Sequence, residues 1–288
     1  MKGLPVLLAL LRSSLMTLAL LPGVVAAETL VVALKPDKNP EKMLAERAAL
    51  GQALGQALGR EVQVVVPLAA AVIQEGLAGG TIDIGYVSGT EMVQALDRGT
   101  ADLLLAGEIK GKTAYESLWV VRADSPLDSV ASLRGQRIAF ASRTSTSGFL
   151  IPRWDLHRQG LITDGDPTPF FGAGNIFYGS GYVSAVERVL DGQAEAAAVS
   201  DYVIDGDKHL TPEQKARLKV IARQGPVPTH CLAVRKAIPA EERTRIIAAL
   251  QGLPTTLRDQ VFTSALVPVD PTRHLASVRE ALALGPAR

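Results

Sequence analysis

The stretch Arg137-Ile138-Ala139-Phe140-Ala141-Ser142-Arg143-Thr144-Ser145-Thr146-Ser147-Gly148 passes from an apolar run into a run of hydroxyl side chains. A segment with helical spacing follows at residues 149–159, so the pattern predicts a strand, a turn and the start of a helix. A helix start offers unpaired N–H groups and the positive end of the helix dipole. The hydroxyls of Ser145, Thr146 and Ser147 add donors without adding charge. We therefore expect these three residues to bind a small oxyanion, because an ordinary helix cap needs only one such side chain.

The first 27 residues have the pattern of a secretory signal peptide. Lys2 and Arg12 are their only charged residues, Leu15 to Leu21 is apolar, and the small residues Ala26 and Ala27 precede Glu28. We expect cleavage after Ala27 and a periplasmic location for the mature protein.

The composition indicates a folded protein with a large core and a balanced surface. Of the 288 residues, 47% are hydrophobic and 20% are charged, and the formal net charge is +1. A near-neutral chain without basic clusters argues against a nucleic-acid partner. The single cysteine, Cys231, excludes an internal disulfide and any multi-cysteine metal site. We expect no metal and no cofactor.

Short β-rich runs alternate with longer helical segments. Strands are predicted at residues 30–34, 62–66, 82–86, 103–106, 118–122, 138–141, 196–200, 220–222 and 231–235. Helices are predicted at residues 40–58, 70–77, 90–97, 149–159, 184–190, 240–250 and 275–284. The first helix has the clearest ends, with Asn39 as cap, Pro40 at the first position and Gly59 at the end. The pattern predicts an α/β fold with mainly parallel sheets covered by helices.

Several motifs resemble those of the phosphate/phosphite/phosphonate-binding proteins of ABC importers. They are the run from Tyr115 to Pro126, Leu133-Arg134-Gly135, and Ser145-Thr146-Ser147-Gly148 with Pro152, with weaker similarity at residues 179–182, 192–196 and 228–236. The resemblance implies a two-lobed, type II periplasmic-binding fold with a hinged cleft, in which Ser145, Thr146 and Ser147 hold the oxyanion.

The runs 118–122 and 231–235 are interpreted as strands that carry the chain between the two lobes. Lobe 1 is then expected to comprise residues 28–118 and 232–288. The inserted lobe 2, residues 119–231, carries the hydroxyl motif.

The sequence departs from the family pattern at the positions expected to face the ligand. Tyr182 stands where the family commonly has a histidine, and Tyr202 and His230 stand where members that bind aminoalkyl-phosphonates have acidic residues. Donors therefore replace carboxylates, which favours a small, fully ionised oxyanion without an amine. Asp201 is the exception, because a carboxylate in the pocket would favour a protonated oxyanion; the sequence does not decide its direction.

Two further contacts are expected from the other lobe, Tyr86 and Ser88, which follow the predicted strand residues Ile82-Asp83-Ile84. Tyr115 is interpreted as a packing residue at a strand edge, with a position lining the cleft as the alternative.

The resemblance implies a binding protein that captures an oxyanion as a monomer and delivers it to an ABC permease and its ATPase. Alternatives on the same fold are a ligand-sensing subunit, or a binder of selenate, sulfate, arsenite or an organic sulfonate. For arsenite, the ligand would be the thiolate of Cys231. An enzyme with Ser145 or Ser147 as nucleophile and His230 as base is disfavoured, because the sequence has no Gly-x-Ser-x-Gly elbow.

Overall fold

The computed structural model describes residues 28–35, 40–67, 69–262 and 265–285, so the predicted signal peptide and Asn39 lie outside the described residues. Within these ranges the strands are β1 (Leu30–Ala33), β2 (Val62–Val65), β3 (Ile84–Val87), β4 (Ala101–Glu108), β5 (Ala114–Arg122), β6 (Ile138–Phe140), β7 (Ile176–Tyr178), β8 (Ala196–Ser200), β9 (Leu218–Pro228), β10 (Cys231–Arg235) and β11 (Ala265–Val267). The helices are α1 (Pro40–Leu58), α2 (Ala70–Gly79), α3 (Gly89–Asp97), α4 (Ile151–Arg158), α5 (Thr168–Phe171), α6 (Tyr182–Leu190), α7 (Asp201–Asp205), α8 (Pro212–Ala216), α9 (Ala240–Gln251), α10 (Thr255–Phe262), α11 (Pro271–His274) and α12 (Ala276–Ala283).

The strands form two sheets. The first has the order β11-β4-β10-β3-β1-β2, and the second has the order β7-β6-β8-β5-β9. The central strands β8 and β10 are apolar and buried along most of their length, because helices cover both faces. The α/β fold predicted from the alternation of runs is confirmed.

The prediction of mainly parallel sheets is wrong in detail, because both sheets are mixed. β1 runs parallel to β2 and β3, and β6 runs parallel to β7 and β8. The pairs of β10 with β3 and β4, of β11 with β4, and of β5 with β8 and β9 are antiparallel. β4 leads out of the first sheet and β10 leads back into it, while β5 leads into the second sheet and β9 leads out of it, so the pairs β4–β10 and β5–β9 are antiparallel.

The chain passes from one sheet to the other at residues 109–113 and 229–230. β5 pairs along its whole length in the second sheet, and Cys231 pairs in the first. A division by sheets would thus move the boundaries predicted at 118/119 and 231/232 by a few residues towards the N-terminus. The division into two lobes remains a prediction.

All the predicted strands and helices are present, and several short elements were missed. The missed strands are β7 and β11, and the missed helices are α5, α7, α8, α10 and α11. β7 and β11 have three residues each and lie at sheet edges, so neither is long enough to show a period. Within the described ranges no helix combines the length and apolarity needed to cross a bilayer.

Candidate functional site

The hydroxyl turn, residues 142–148, lies where the sequence places it, between β6 and the helical segment. Ser145 has an extended backbone, and its Oγ accepts a hydrogen bond from the Gly148 N–H at 3.0 Å. The chain then makes one wide helical turn, in which Leu150 N–H donates to Ser145 O at 3.0 Å, before α4 begins at Ile151. A Cβ at position 148 would overlap Ala141 and the Ser145 hydroxyl, so only glycine fits the turn.

Ser147 is the centre of a cluster of hydroxyl groups. Its side chain is fully buried, its Oγ lies 2.7 Å from the Tyr182 hydroxyl, and it accepts a hydrogen bond from the Tyr115 hydroxyl at 3.3 Å. From the adjacent strand β5, the buried Ser117 Oγ donates to the Ser147 backbone oxygen at 2.6 Å. The Ser147 hydroxyl is therefore held in one place by groups from β5 and α6.

Three tyrosines form the wall around Ser147. The ring centres of Tyr115 and Tyr202 are 5.7 Å apart, and those of Tyr182 and Tyr202 are 5.8 Å apart in an edge-to-face arrangement. Burial raises the pKa of Tyr115 and Tyr202 well above the ordinary value. Both hydroxyls therefore keep their protons at neutral pH and can donate hydrogen bonds. Tyr115 packs against a buried apolar cluster, as its interpretation as a packing residue predicts, and its hydroxyl in addition belongs to this hydroxyl cluster.

Thr146 connects the hydroxyl turn with an element of the first sheet. Its Oγ1 lies 2.8 Å from Thr90 Oγ1, and both threonines are buried. Thr90 is in the first turn of α3, directly after β3. The N-terminal ends of α3 and of the helical segment after the turn thus face each other at this contact, which we call the junction.

The binding residues predicted on the first sheet, Tyr86, Ser88 and His230, lie near α3 and contact other residues of the protein. Ser88 caps α3 by accepting the Glu91 N–H, and the Tyr86 hydroxyl donates to Phe262 O at 3.2 Å. The Tyr86 and His230 rings are 5.3 Å apart. Burial and, to a smaller extent, the Lys35 charge lower the pKa of His230 to about 3, so it is neutral at physiological pH.

Asp201 forms hydrogen bonds within the protein, and Cys231 is not accessible to a ligand. The Asp201 carboxylate accepts the N–H groups of Glu116 at 3.0 Å and Tyr202 at 2.7 Å. Cys231 is fully buried, and burial raises the pKa of its thiol, which disfavours a thiolate ligand for arsenite. In the part of the chain that the structure describes, no three His, Cys, Asp or Glu side chains are grouped as a metal site.

A groove of about 510 Å³ adjoins the cluster on the side of the passages between the sheets. Tyr115 and Asp201 are part of its wall. The charges on its rim are partly paired, with Arg223 Nη1 3.0 Å from a Glu116 carboxylate oxygen.

The structure thus brings Ser147, Tyr182 and Tyr202 together, and it brings Thr146 to the junction. It places Tyr86, Ser88 and His230 in a separate group on the first sheet. Four residues near the site were missed: Lys35, Thr90, Glu91 and Ser117. Ser88 and Glu91 form a Ser-x-x-Glu capping box, a signal that the sequence does contain.

The sequence matches a family model over most of its length and is similar to one named relative. The model of the family described as "ABC transporter, phosphonate, periplasmic substrate-binding protein" matches residues 32–271. The phosphate-import protein PhnD of Mycolicibacterium smegmatis is 26% identical over 182 residues, which is 62% of this chain and 57% of that relative. The match therefore spans little more than half of the relative.

Solved structures share the fold. XAC2383 from Xanthomonas citri bound to chloride ion has a TM-score of 0.75 at 23% identity, over 89% of this chain and 98% of that chain. PhnD1 from Prochlorococcus marinus in complex with methylphosphonate has a TM-score of 0.72 at 18% identity, over 88% of this chain and 97% of that chain. Since the family model matches most of the sequence, the chain belongs to the periplasmic substrate-binding proteins of phosphonate ABC transporters.

Proposed function

We propose that this protein captures a small oxyanion of the phosphate, phosphite or phosphonate class, without an amine, and delivers it to an ABC permease. The observation that carries the proposal is the hydroxyl cluster around Ser147, next to the junction of Thr146 with Thr90. The binding residues proposed are Ser145, Thr146, Ser147, Tyr182, Tyr202, His230, Tyr86 and Ser88, to which Tyr115 and Thr90 are added.

Membership of the family means that the chain is a substrate-binding protein and not an enzyme, and that its place is the periplasm. A small ligand and a membrane transporter are its partners by the same membership. Cleavage after Ala27, a monomeric state and the two-lobe division at 28–118 with 232–288 and at 119–231 are proposals.

The chemistry of the cluster supports an anionic ligand. Hydroxyl groups of Ser147, Tyr115, Tyr182 and Thr146 and the first N–H groups of the helical segment are all donors. A hydrogen bond to a charged group contributes about 1.5–3 kcal/mol, so a few of them yield micromolar or tighter binding after the costs of ordering. Elements of both sheets contribute donors, so we propose that the ligand lies between them and that its binding favours the closed arrangement.

The named ligands of the similar proteins support an oxyanion without an amine. One relative is named a phosphate-import protein, and one structural neighbour was solved with methylphosphonate. Neither compound carries an ammonium group. Members that bind aminoalkyl-phosphonates have acidic residues at two positions where this chain has Tyr202 and His230. His230 is neutral, so neither position offers a negative charge to an amine.

Calorimetric titration of the purified protein tests the proposal. The ligands are phosphate, phosphite, methylphosphonate, 2-aminoethylphosphonate and sulfate. One-to-one binding of an amine-free phosphorus oxyanion is expected. No binding across this panel would contradict the proposed ligand class, and preference for the aminoalkyl compound would contradict the amine-free pocket.

The site is tested with Ser147→Ala and Thr146→Ala. Each is expected to weaken oxyanion binding by about tenfold to a hundredfold, because each removes a donor to a charged group. The ligand-free melting temperature should change by no more than a few degrees, about what a loss of 1 kcal/mol produces. Thr144→Ala is the matched control, since Thr144 is an exposed hydroxyl residue of the same turn. Variants that bind like the wild type would contradict the assignment.

A further inference from the structure

An ion pair lies on the first-sheet side of the junction. Lys35 follows β1, and its Nζ is 3.0 Å from Glu91 Oε2. The same carboxylate oxygen accepts the Ser88 N–H at 2.7 Å, so it sits at the N-terminus of α3. The exposed fraction is 11% for the Glu91 side chain and 28% for that of Lys35.

The pair is close to the proposed binding site. Glu91 is the neighbour in sequence of Thr90, whose hydroxyl contacts Thr146 of the hydroxyl turn at 2.8 Å. The charges of both residues also act on His230, another proposed binding residue, because Lys35 lowers the pKa of His230 and Glu91 raises it. An anion bound at the hydroxyl turn would therefore be within electrostatic reach of Lys35 and Glu91.

The carboxylate of Glu91 is ionised. Burial alone would raise its pKa, but the charge of Lys35 and the hydrogen bonds from Ser88 lower it below the usual value. Without Lys35, this carboxylate would repel an oxyanion and would attract the ammonium group of a ligand. In the protein, the ammonium group of Lys35 occupies the place beside Glu91 that the ammonium group of a ligand would take.

We propose that Lys35, paired with Glu91, makes the binding site selective for oxyanions that carry no amine. The inference rests on the proposed function and concerns a residue outside the hydroxyl motif. Lys35 cancels a charge that would oppose the ligand, and it occupies the carboxylate that an amine-bearing ligand would otherwise use. Selectivity arises in this way from an internal salt bridge as well as from contacts to the ligand itself.

The test compares methylphosphonate with 2-aminoethylphosphonate, two ligands that share the phosphonate group. Lys35→Met keeps most of the length of the unbranched side chain and removes its charge. We expect the affinity for methylphosphonate to fall by about tenfold, and the ratio of affinities to move by at least about tenfold towards the aminoalkyl compound. In Lys35→Met with Glu91→Gln the carboxylate charge is also gone, and the ratio should return towards that of the wild type.

Lys236→Met is the matched control. Lys236 also forms an ion pair, with Asp102 at 2.7 Å, but it lies beyond the end of β10 that is remote from the junction. Its removal should leave both affinities unchanged, and melting curves confirm that each variant is folded. An unchanged affinity ratio in Lys35→Met would overturn the inference while leaving the proposed function intact. Failure of the wild type to bind phosphate, phosphite and both phosphonates would overturn the proposed function and the inference together.

Discussion

At the scale of single residues, burial sets the protonation state of several side chains in the proposed site. His230 illustrates this, since its pKa is lowered from 6.5 to about 3 in the folded protein. The unfolded chain binds a proton more readily, so acid favours unfolding. The contribution of His230 to stability is complete above about pH 6.5 and is lost as the pH falls from 6.5 towards 3.

His230→Asn is therefore expected to make the free energy of unfolding less dependent on pH between 6.5 and 4, the upper part of the window between the two pKa values. Urea titrations of the wild type and the variant at several pH values measure the difference in slope. Some slope will remain, because burial also lowers the pKa of His274. His157→Asn, on α4 away from the junction, serves as the control. Parallel stability curves for His230→Asn and the wild type would contradict the prediction.

At the scale of elements, the hydroxyl turn is supported by the strand beneath it. The buried Ser117 of β5 donates to Ser147 O at 2.6 Å, and its Oγ also lies 3.4 Å from Gln224 Oε1 of β9. Ser117→Ala removes this support and leaves a buried carbonyl without its donor. We expect a loss of about 1–3 kcal/mol in the free energy of unfolding, together with weaker oxyanion binding.

Chemical denaturation and calorimetry on the same Ser117→Ala sample measure both effects. Ser132→Ala is a suitable control, because Ser132 is less buried and its Oγ bonds only with the nearby Ser129, donating to its O at 2.7 Å and accepting its N–H at 3.3 Å. Binding as tight as in the wild type would show that Ser117 stabilises the fold without positioning Ser147.

At the scale of the whole molecule, one apolar cluster joins elements of both sheets. Ile151 and Trp154 of α4 pack in the same buried cluster as Met92 of α3 and Val278 of α12. The buried Arg153 of α4 also donates to Ala281 O of α12 at 3.0 Å. The C-terminal helix α12 therefore connects parts of the chain that belong to different sheets.

Trp154→Ala opens a cavity in this cluster, so we expect the free energy of unfolding to fall by about 3–5 kcal/mol. Denaturant titration followed by circular dichroism measures the loss. Gln159→Ala, at the exposed end of the same helix, should change stability by less than about 0.5 kcal/mol. A small effect of Trp154→Ala would show that the cluster between the two sheets contributes little to stability.

Local signals in the sequence predicted much of the fold and part of the candidate site. The apolar runs predicted the central strands, and the hydroxyl stretch after Ala141 predicted the turn between β6 and α4, because strand and helix periods are local properties. The short edge strands β7 and β11 were missed, since three residues show no period. Their pairing depends on strands distant in the sequence.

The sequence by itself determined the class of fold, the hydroxyl turn and the resemblance to a family of binding proteins. Only the tertiary structure decided which hydroxyls meet. It brought Tyr115 to Ser147 from 32 residues away, Thr90 to Thr146 from 56 residues away, and Lys35 to Glu91 from 56 residues away. The physical reason is that a hydrogen bond or ion pair depends on distances in space. Those distances arise from how the two sheets and their helices pack, which no local pattern records.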